Sequence, residues 1–114
     1  MPDCIFCKII KKEIPGKIAY EDEDLLAFHD IEPKAPVHIL IIPKKHIKNN
    51  LALTESDLPI LGKIFKVINK LAVEQGIEKT GFRIVNNCLK DAGQLVEHLH
   101  FHLLGGRKMQ WPPG

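Results

Sequence analysis

The chain has 114 residues, a length that suits one domain with a real hydrophobic core. Its 45% apolar and 26% charged residues are ordinary for a soluble globular protein, and a net charge of +2 is too small to argue for nucleic acid or an anionic membrane as a partner. No stretch approaches the ~18 apolar residues of a membrane span, and Met1-Pro2-Asp3-Cys4 has no basic region leading into an apolar run, so no secretory leader is expected.

In chain order, residues 6–13 read as a short helix ended by Pro15-Gly16. Two short strands follow, 17–20 and 25–29, separated by the acidic turn Glu21-Asp22-Glu23-Asp24. After the proline-punctuated loop 31–36, the β-branched run 37–42 reads as a buried strand stopped at Pro43. A long helix is expected over 57–75. Leu58, Leu61, Ile64, Phe65, Ile68, Leu71 and Ala72 recur at spacings of three and four and give it one apolar stripe. Thr54 or Ser56 can cap its start, Pro59 suits its first turn and Gly76 can end it. Residues 82–85 form another strand, 86–94 a polar loop, and a last strand ends at Gly105-Gly106. Strands outnumber helices and the reading is α+β, a mostly antiparallel sheet in a single domain over residues 1–114.

That last strand carries His98-Leu99-His100-Phe101-His102-Leu103. Strict alternation puts the three imidazoles on one face and Leu99, Phe101 and Leu103 on the other. Imidazole suits proton transfer, nucleophilic attack and metal ligation near neutral pH. Same-face residues two apart lie ~6.6–6.8 Å apart, so His98 and His102 are separated by roughly 13 Å. One metal therefore does not draw on all three. A neutral imidazole is also a nucleophile, and phosphorus is its natural electrophile where donors hold the phosphate oxygens. The loop before the strand offers such donors in Asn87, Gln94 and the backbone around Gly93.

Three cysteines, an odd count, argue against a disulfide framework and for a reducing, cytoplasmic setting. Cys4-Ile5-Phe6-Cys7 reads as a pair of free thiols, a redox dithiol or half of a zinc site. In the last case His46 and His98 are the best candidates for the missing ligands.

With these residues the chain resembles the histidine triad family, in its nucleotide-binding, purine nucleoside phosphoramidase-like branch. The resemblance runs through Cys4–Ile10, Glu13-Ile14-Pro15, residues 26–31, 35–38 and 42–47, the histidine strip and Gly105-Gly106-Arg107. It implies a five-stranded antiparallel sheet with one long and one short helix, paired into a ten-stranded sheet in a homodimer. It implies hydrolysis of purine nucleoside 5′-phosphoramidates or acyl-adenylates to a nucleoside monophosphate, AMP or GMP, through a nucleotidyl-histidine intermediate. In that scheme His100 is the nucleophile, His102 its phosphate-side partner and His38 the fourth active-site histidine. Asp30 binds the ribose. Phe6, Ile9, Ile14, Phe28 and Ile31 wall the base pocket, and Asn87, Gly93 and Gln94 cradle the phosphate. Cys4, Cys7, His46 and His98 hold a structural zinc.

Three positions depart from the pattern: Cys88 and Ala92 stand where the family is glycine-rich, which implies a less open phosphate loop, and Leu95 is the third. Leu95 stands where the family usually has Ser or Thr, whose hydroxyl lies near the leaving-group atom. That implies slower turnover or a different leaving-group preference, with a nucleotide-binding module of little turnover as the alternative. Hydrolysis of diadenosine polyphosphates is a third and weaker reading.

Overall fold

The computed structural model describes residues 4–114; the expectation for the first three residues lies outside them. Seven regular elements follow one another: α1 (Ile5–Ile10), β1 (Ile18–Glu21), β2 (Leu25–His29), β3 (Val37–Pro43), α2 (Leu58–Glu74), β4 (Phe82–Val85) and β5 (Phe101–Gly105). The strands make one antiparallel sheet in the order β1-β2-β3-β5-β4. Asp22 closes the β1–β2 turn, its Oδ1 accepting from the backbone N–H groups of Asp24 and Leu25.

Alternation gives the sheet two packed faces. Leu25, Ala27, Ile39, Ile41, Leu99, Phe101 and Leu103 join Ile64, Val67, Ile68, Leu71 and Ala72 of α2 in the main core. Leu26, Phe28, Leu40 and Ile42 turn the other way and pack under Phe6 and Ile9 of α1. Each large aliphatic side chain so buried contributes about 1.5–3 kcal/mol. The stripe on α2 differs in detail from the sequence reading. Val67 belongs to the core, while Leu58 and Phe65 are 51% and 45% exposed. They sit at the flanks of the stripe, although the Phe65 ring still meets Phe101 edge-on at 5.8 Å.

The helix ends are built from local hydrogen bonds. Asp57 accepts from both the backbone N–H and the hydroxyl of Thr54, at 2.9 Å each, just ahead of α2. Its other oxygen takes Lys45 Nζ at 2.6 Å, which ties the helix start to the segment carrying His46. At the far end Gly76 adopts φ +73°, and Gly76 and Ile77 donate back to Val73 and Ala72. This is the left-handed closure that glycine permits. No helix among the described residues is long and apolar enough to cross a membrane.

The ladder of β5 starts at Phe101, so His98 and His100 precede it. Their backbone finds other partners. Leu99 N–H donates to Ile47 O at 2.6 Å, and Asn86 Nδ2 donates to His100 O at 3.1 Å. The alternation persists through this segment, because Leu99 enters the main core and His98 and His100 are buried away from it.

Candidate functional site

Two clusters of side chains meet on the α1 side of the sheet. The first comprises Cys4, Cys7, His46 and His98, whose four ligand atoms lie within 4.8 Å of one another. Cys4 precedes α1 and its Sγ accepts from Cys7 N–H at 3.4 Å, so the turn of a short helix holds both sulfurs on one side. Cys4 Sγ lies 3.4 Å from His98 Nδ1, Cys7 Sγ 3.3 Å from His46 Nδ1 and 3.6 Å from His98 Nδ1, and the two Nδ1 atoms are 3.2 Å apart. A tetrahedral zinc with bonds of about 2.0 Å to nitrogen and 2.3 Å to sulfur separates its ligands by roughly 3.3–3.8 Å. Four of the six edges of the cluster, at 3.2–3.6 Å, are already close to that spacing.

The surroundings fit as well. His98 is fully buried and its Nε2 donates to Pro43 O at 2.8 Å, which leaves Nδ1 as the bare nitrogen facing the sulfurs. A ligating histidine is held in this way by its other N–H. Burial pushes the Cys7 thiol above its ordinary value, and burial pushes His98 down to about 4. A dication among these four atoms favours the thiolate and uses the neutral imidazole. No disulfide competes, since Cys4, Cys7 and Cys88 are all free thiols.

The second cluster, Asp30, His38 and His102, also lies within 4.8 Å. Its hydrogen bonds form a chain that fixes the tautomer of each ring. Lys34 N–H donates to His38 Nδ1 at 3.0 Å, so the His38 proton sits on Nε2. That N–H donates to His102 Nδ1 at 2.9 Å, with Asp30 Oδ2 3.4 Å away. The proton of His102 is therefore on Nε2. A metal at His38 Nε2 would have to displace this proton while the other nitrogen accepts a hydrogen bond, the reverse of what a ligating histidine needs.

His100 stands beside this chain, its ring 5.1 Å from that of His102. Its Nδ1 donates to His98 O at 2.7 Å, so Nε2 carries the free lone pair. Burial lowers His38 and His100, and burial together with the charge that a protonated His100 or His38 would carry pushes His102 down to about 4. Burial thus favours the neutral form of all three rings. They open onto a cleft of about 340 Å³ that is also lined by Asp30, Asn87, Gly93 and Leu95. Gly93 takes φ +85° there, which a side chain would resist.

A family model described as "HIT domain" matches residues 11–109. The chain belongs to the HIT domain family. The 14 kDa zinc-binding protein of Zea mays is 51% identical over 114 residues, covering 96% of this chain and 87% of its own. A HIT family hydrolase of Legionella pneumophila superposes with a TM-score of 0.96 at 48% identity, covering 98% of this chain and 100% of that one. A histidine triad nucleotide-binding protein of Candida albicans gives 0.83 at 34% identity, covering 96% and 83%.

The HIT site residues expected from sequence divide in the structure. His38, His100, His102, Asp30, Asn87 and Gly93 meet at the cleft, and the four expected metal ligands meet beside it. Asp30 has a second task, its Oδ1 accepting from Glu32 N–H at 2.8 Å. Gln94 staples the loop. Its Oε1 accepts from Leu89 N–H, and its Nε2 donates to the carbonyls of Lys48 and Val96. Phe6, Ile9 and Phe28 are buried in the second core, Ile14 packs against it, and Ile31 is 93% exposed.

Sequence reasoning missed Glu32, Lys34, Val85 and Leu104, which also line the cleft. Continuing the alternation past His102 would have found Leu104, and Val85 is paired with His102 across β4 and β5. Nothing in the sequence signals the backbone N–H of Lys34. Asn86, next to the expected phosphate donor Asn87, holds the His100 carbonyl and receives a hydrogen bond from Asn50.

Proposed function

We propose that this HIT protein hydrolyses purine nucleoside 5′-phosphoramidates or acyl-adenylates through a nucleotidyl-His100 intermediate. The observation that carries this reading is the proton arrangement: Nδ1–H of His100 is tied to His98 O and Nε2 is left unprotonated at the cleft. In the first step the Nε2 lone pair bonds to the α-phosphorus, and the bond from phosphorus to the leaving nitrogen or oxygen breaks with its electron pair. A departing amine takes up one proton. In the second step water bonds to phosphorus, the electron pair of the phosphorus–nitrogen bond returns to Nε2, and water returns that proton as the nucleoside monophosphate leaves. The proton on the departing amine comes from solvent; His102 Nε2–H, its tautomer fixed by His38 and Asp30, donates a hydrogen bond to the phosphate and the leaving atom and so assists that transfer. Asn87 and the Gly93 backbone serve as phosphate donors, Asp30 as the ribose acceptor, and Phe6, Ile9, Ile14, Phe28 and Ile31 as the apolar side of the base site. Gln94 supports the phosphate loop from behind.

The Cys4–Cys7–His46–His98 cluster is assigned to a structural zinc, which supplies charge and cross-linking there and takes no part in the phosphorus chemistry. The assembly we assign is a homodimer with its two sheets joined.

The test is turnover of adenosine 5′-phosphoramidate by wild type and His100→Ala. The expected result is AMP release by wild type and a loss of at least about 10³-fold in the variant. Equal rates would remove His100 from the mechanism. A second reading, a purine nucleotide-binding module with little turnover, is favoured by one observation: Leu95, 93% exposed at the cleft, offers the leaving group no hydrogen-bond donor. Calorimetric AMP binding without turnover would select it.

A further inference from the structure

The metal cluster and the histidine at the cleft are joined through a single residue. His98 contributes its Nδ1 to the Cys4–Cys7–His46 cluster, and its main-chain carbonyl takes the Nδ1–H of His100 at 2.7 Å. That hydrogen bond decides which nitrogen of His100 is bare. No ladder bond fixes this stretch of chain, because β5 begins only at Phe101. Four contacts fix it instead: the ligand cluster, Pro43 O on His98 Nε2, Ile47 O on Leu99 N–H, and Asn86 Nδ2 on His100 O. Phe6 adds a second link. It lies between Cys4 and Cys7 on α1, and its ring stands edge-on to His98 at 5.9 Å and to His100 at 5.1 Å. Whatever seats the two sulfurs also seats this ring against the nucleophile.

We propose that the Cys4–Cys7–His46–His98 centre is a positioning device for His100, with His98 the residue that couples them. The proposal rests on the reading above, in which His100 is the nucleophile and the cluster holds a metal ion. With the ion bound, the His98 ring is clamped between the ion and Pro43, so its carbonyl points at His100 Nδ1. Without it, only the weak sulfur contacts of Cys4 and Cys7 hold the ring on the cluster side. The His98 peptide then turns more freely, and His100 loses its preference for one tautomer. His98 is a positioning residue in this scheme and does not touch the substrate.

The experiment uses the full chain, ¹⁵N-labelled, loaded with zinc and then stripped by a chelator under reducing conditions. Histidine nitrogen spectra are compared with turnover and AMP affinity. In the loaded protein His100 should be the Nδ1–H tautomer alone. In the stripped protein it should become a mixture, with kcat lower by roughly 10–100-fold and AMP affinity changed by less than about twofold. An unchanged His100 tautomer and kcat after stripping overturn the proposal and reduce the cluster to a fold clip. If the stripped chain unfolds, exchange of zinc for the larger cadmium ion keeps it folded and decides the matter. Shifted His100 nitrogen resonances with a lower kcat support the coupling, and identical resonances in the two metal forms overturn it. The nitrogen spectra do not depend on turnover, so the two readings fail separately. A metal-dependent tautomer in a protein that turns over no nucleotide keeps the coupling and removes the hydrolase. Normal turnover with a metal-independent tautomer does the opposite.

Discussion

Gly105 closes the strand that carries the histidines, and replacing it with alanine tests how that strand is seated. A Cβ at this position would lie 2.5 Å from Ile77 Cδ1 and 3.2 Å from both Ile77 Cβ and Cγ2. Rotating Ile77 moves Cδ1 and Cγ2 but not Cβ, which belongs to the stem. The stem cannot retreat easily either: Ile77 is 4% exposed and its N–H is bonded to Ala72 O at the end of α2. The strand must therefore shift, and Gly105 faces Val37 on one side and Phe82 on the other, so two pairings move with it. Overpacking of this kind costs about 1–3 kcal/mol, which lowers Tm by roughly 5–15 °C in a domain of this size. Thermal unfolding of Gly105→Ala measures it. The double variant Gly105→Ala with Ile77→Ala identifies the cause. Ile77→Ala alone should cost about 2–5 kcal/mol as a cavity, and adding Gly105→Ala to it should cost close to nothing. The same penalty for Gly105→Ala in both backgrounds would refute the steric argument.

Three further outcomes are expected. Leu95→Ser should leave Tm within about 2 °C, because an exposed side chain has little packing to lose, and should raise kcat on a phosphoramidate by about tenfold, the worth of one hydrogen bond of about 1.4 kcal/mol; an equal change in AMP affinity would contradict a role at the leaving group. Chelation of the zinc-loaded protein should lower Tm, since an ion at a thousand times its Kd stabilises the fold by about 4 kcal/mol, and calorimetry with and without chelator gives the difference. Acid should also weaken the fold through Asp57. Its hydrogen bonds with Lys45 and Thr54 hold the carboxyl at about 2, below the ordinary 3.8. The folded value is the lower one, so this stabilisation is complete above about pH 4 and is lost as pH falls toward 2. Asp57→Asn should flatten the dependence of Tm on pH in that window.

Most of the fold was legible because its elements are strongly patterned. The runs at 25–29, 37–42 and 82–85 correspond to β2, β3 and β4 to within a residue, and the stripe on α2 was misjudged at Leu58 and Phe65 on its flanks and at Val67 within it. The histidine strip was readable through its period of two, and that period outlasts the ladder which normally produces it. The proton positions could not be read. They depend on Lys34 N–H and the carbonyl of His98, main-chain groups that no residue type advertises. The role of Gln94 was hidden for a similar reason, because its partners at Lys48 and Leu89 become neighbours only once the loop folds back. Spacing left the use of Cys4 and Cys7 open between thiols, redox chemistry and metal. Four interatomic distances favour metal.

The alternation of β5 and the segment before it works like a reading frame. Even-numbered residues from 98 to 102 deliver imidazoles to one side of the sheet, and odd-numbered ones from 99 to 103 deliver Leu, Phe and Leu to the other. A point substitution at either kind of position spoils one side and leaves the other legible. Deleting one residue between 98 and 103 exchanges the two sides from there onward, driving imidazoles into the α2 core and hydrocarbon into the cleft. Chemistry and core are thus encoded in the same six letters, and a lineage can edit those letters one at a time but cannot shift their phase.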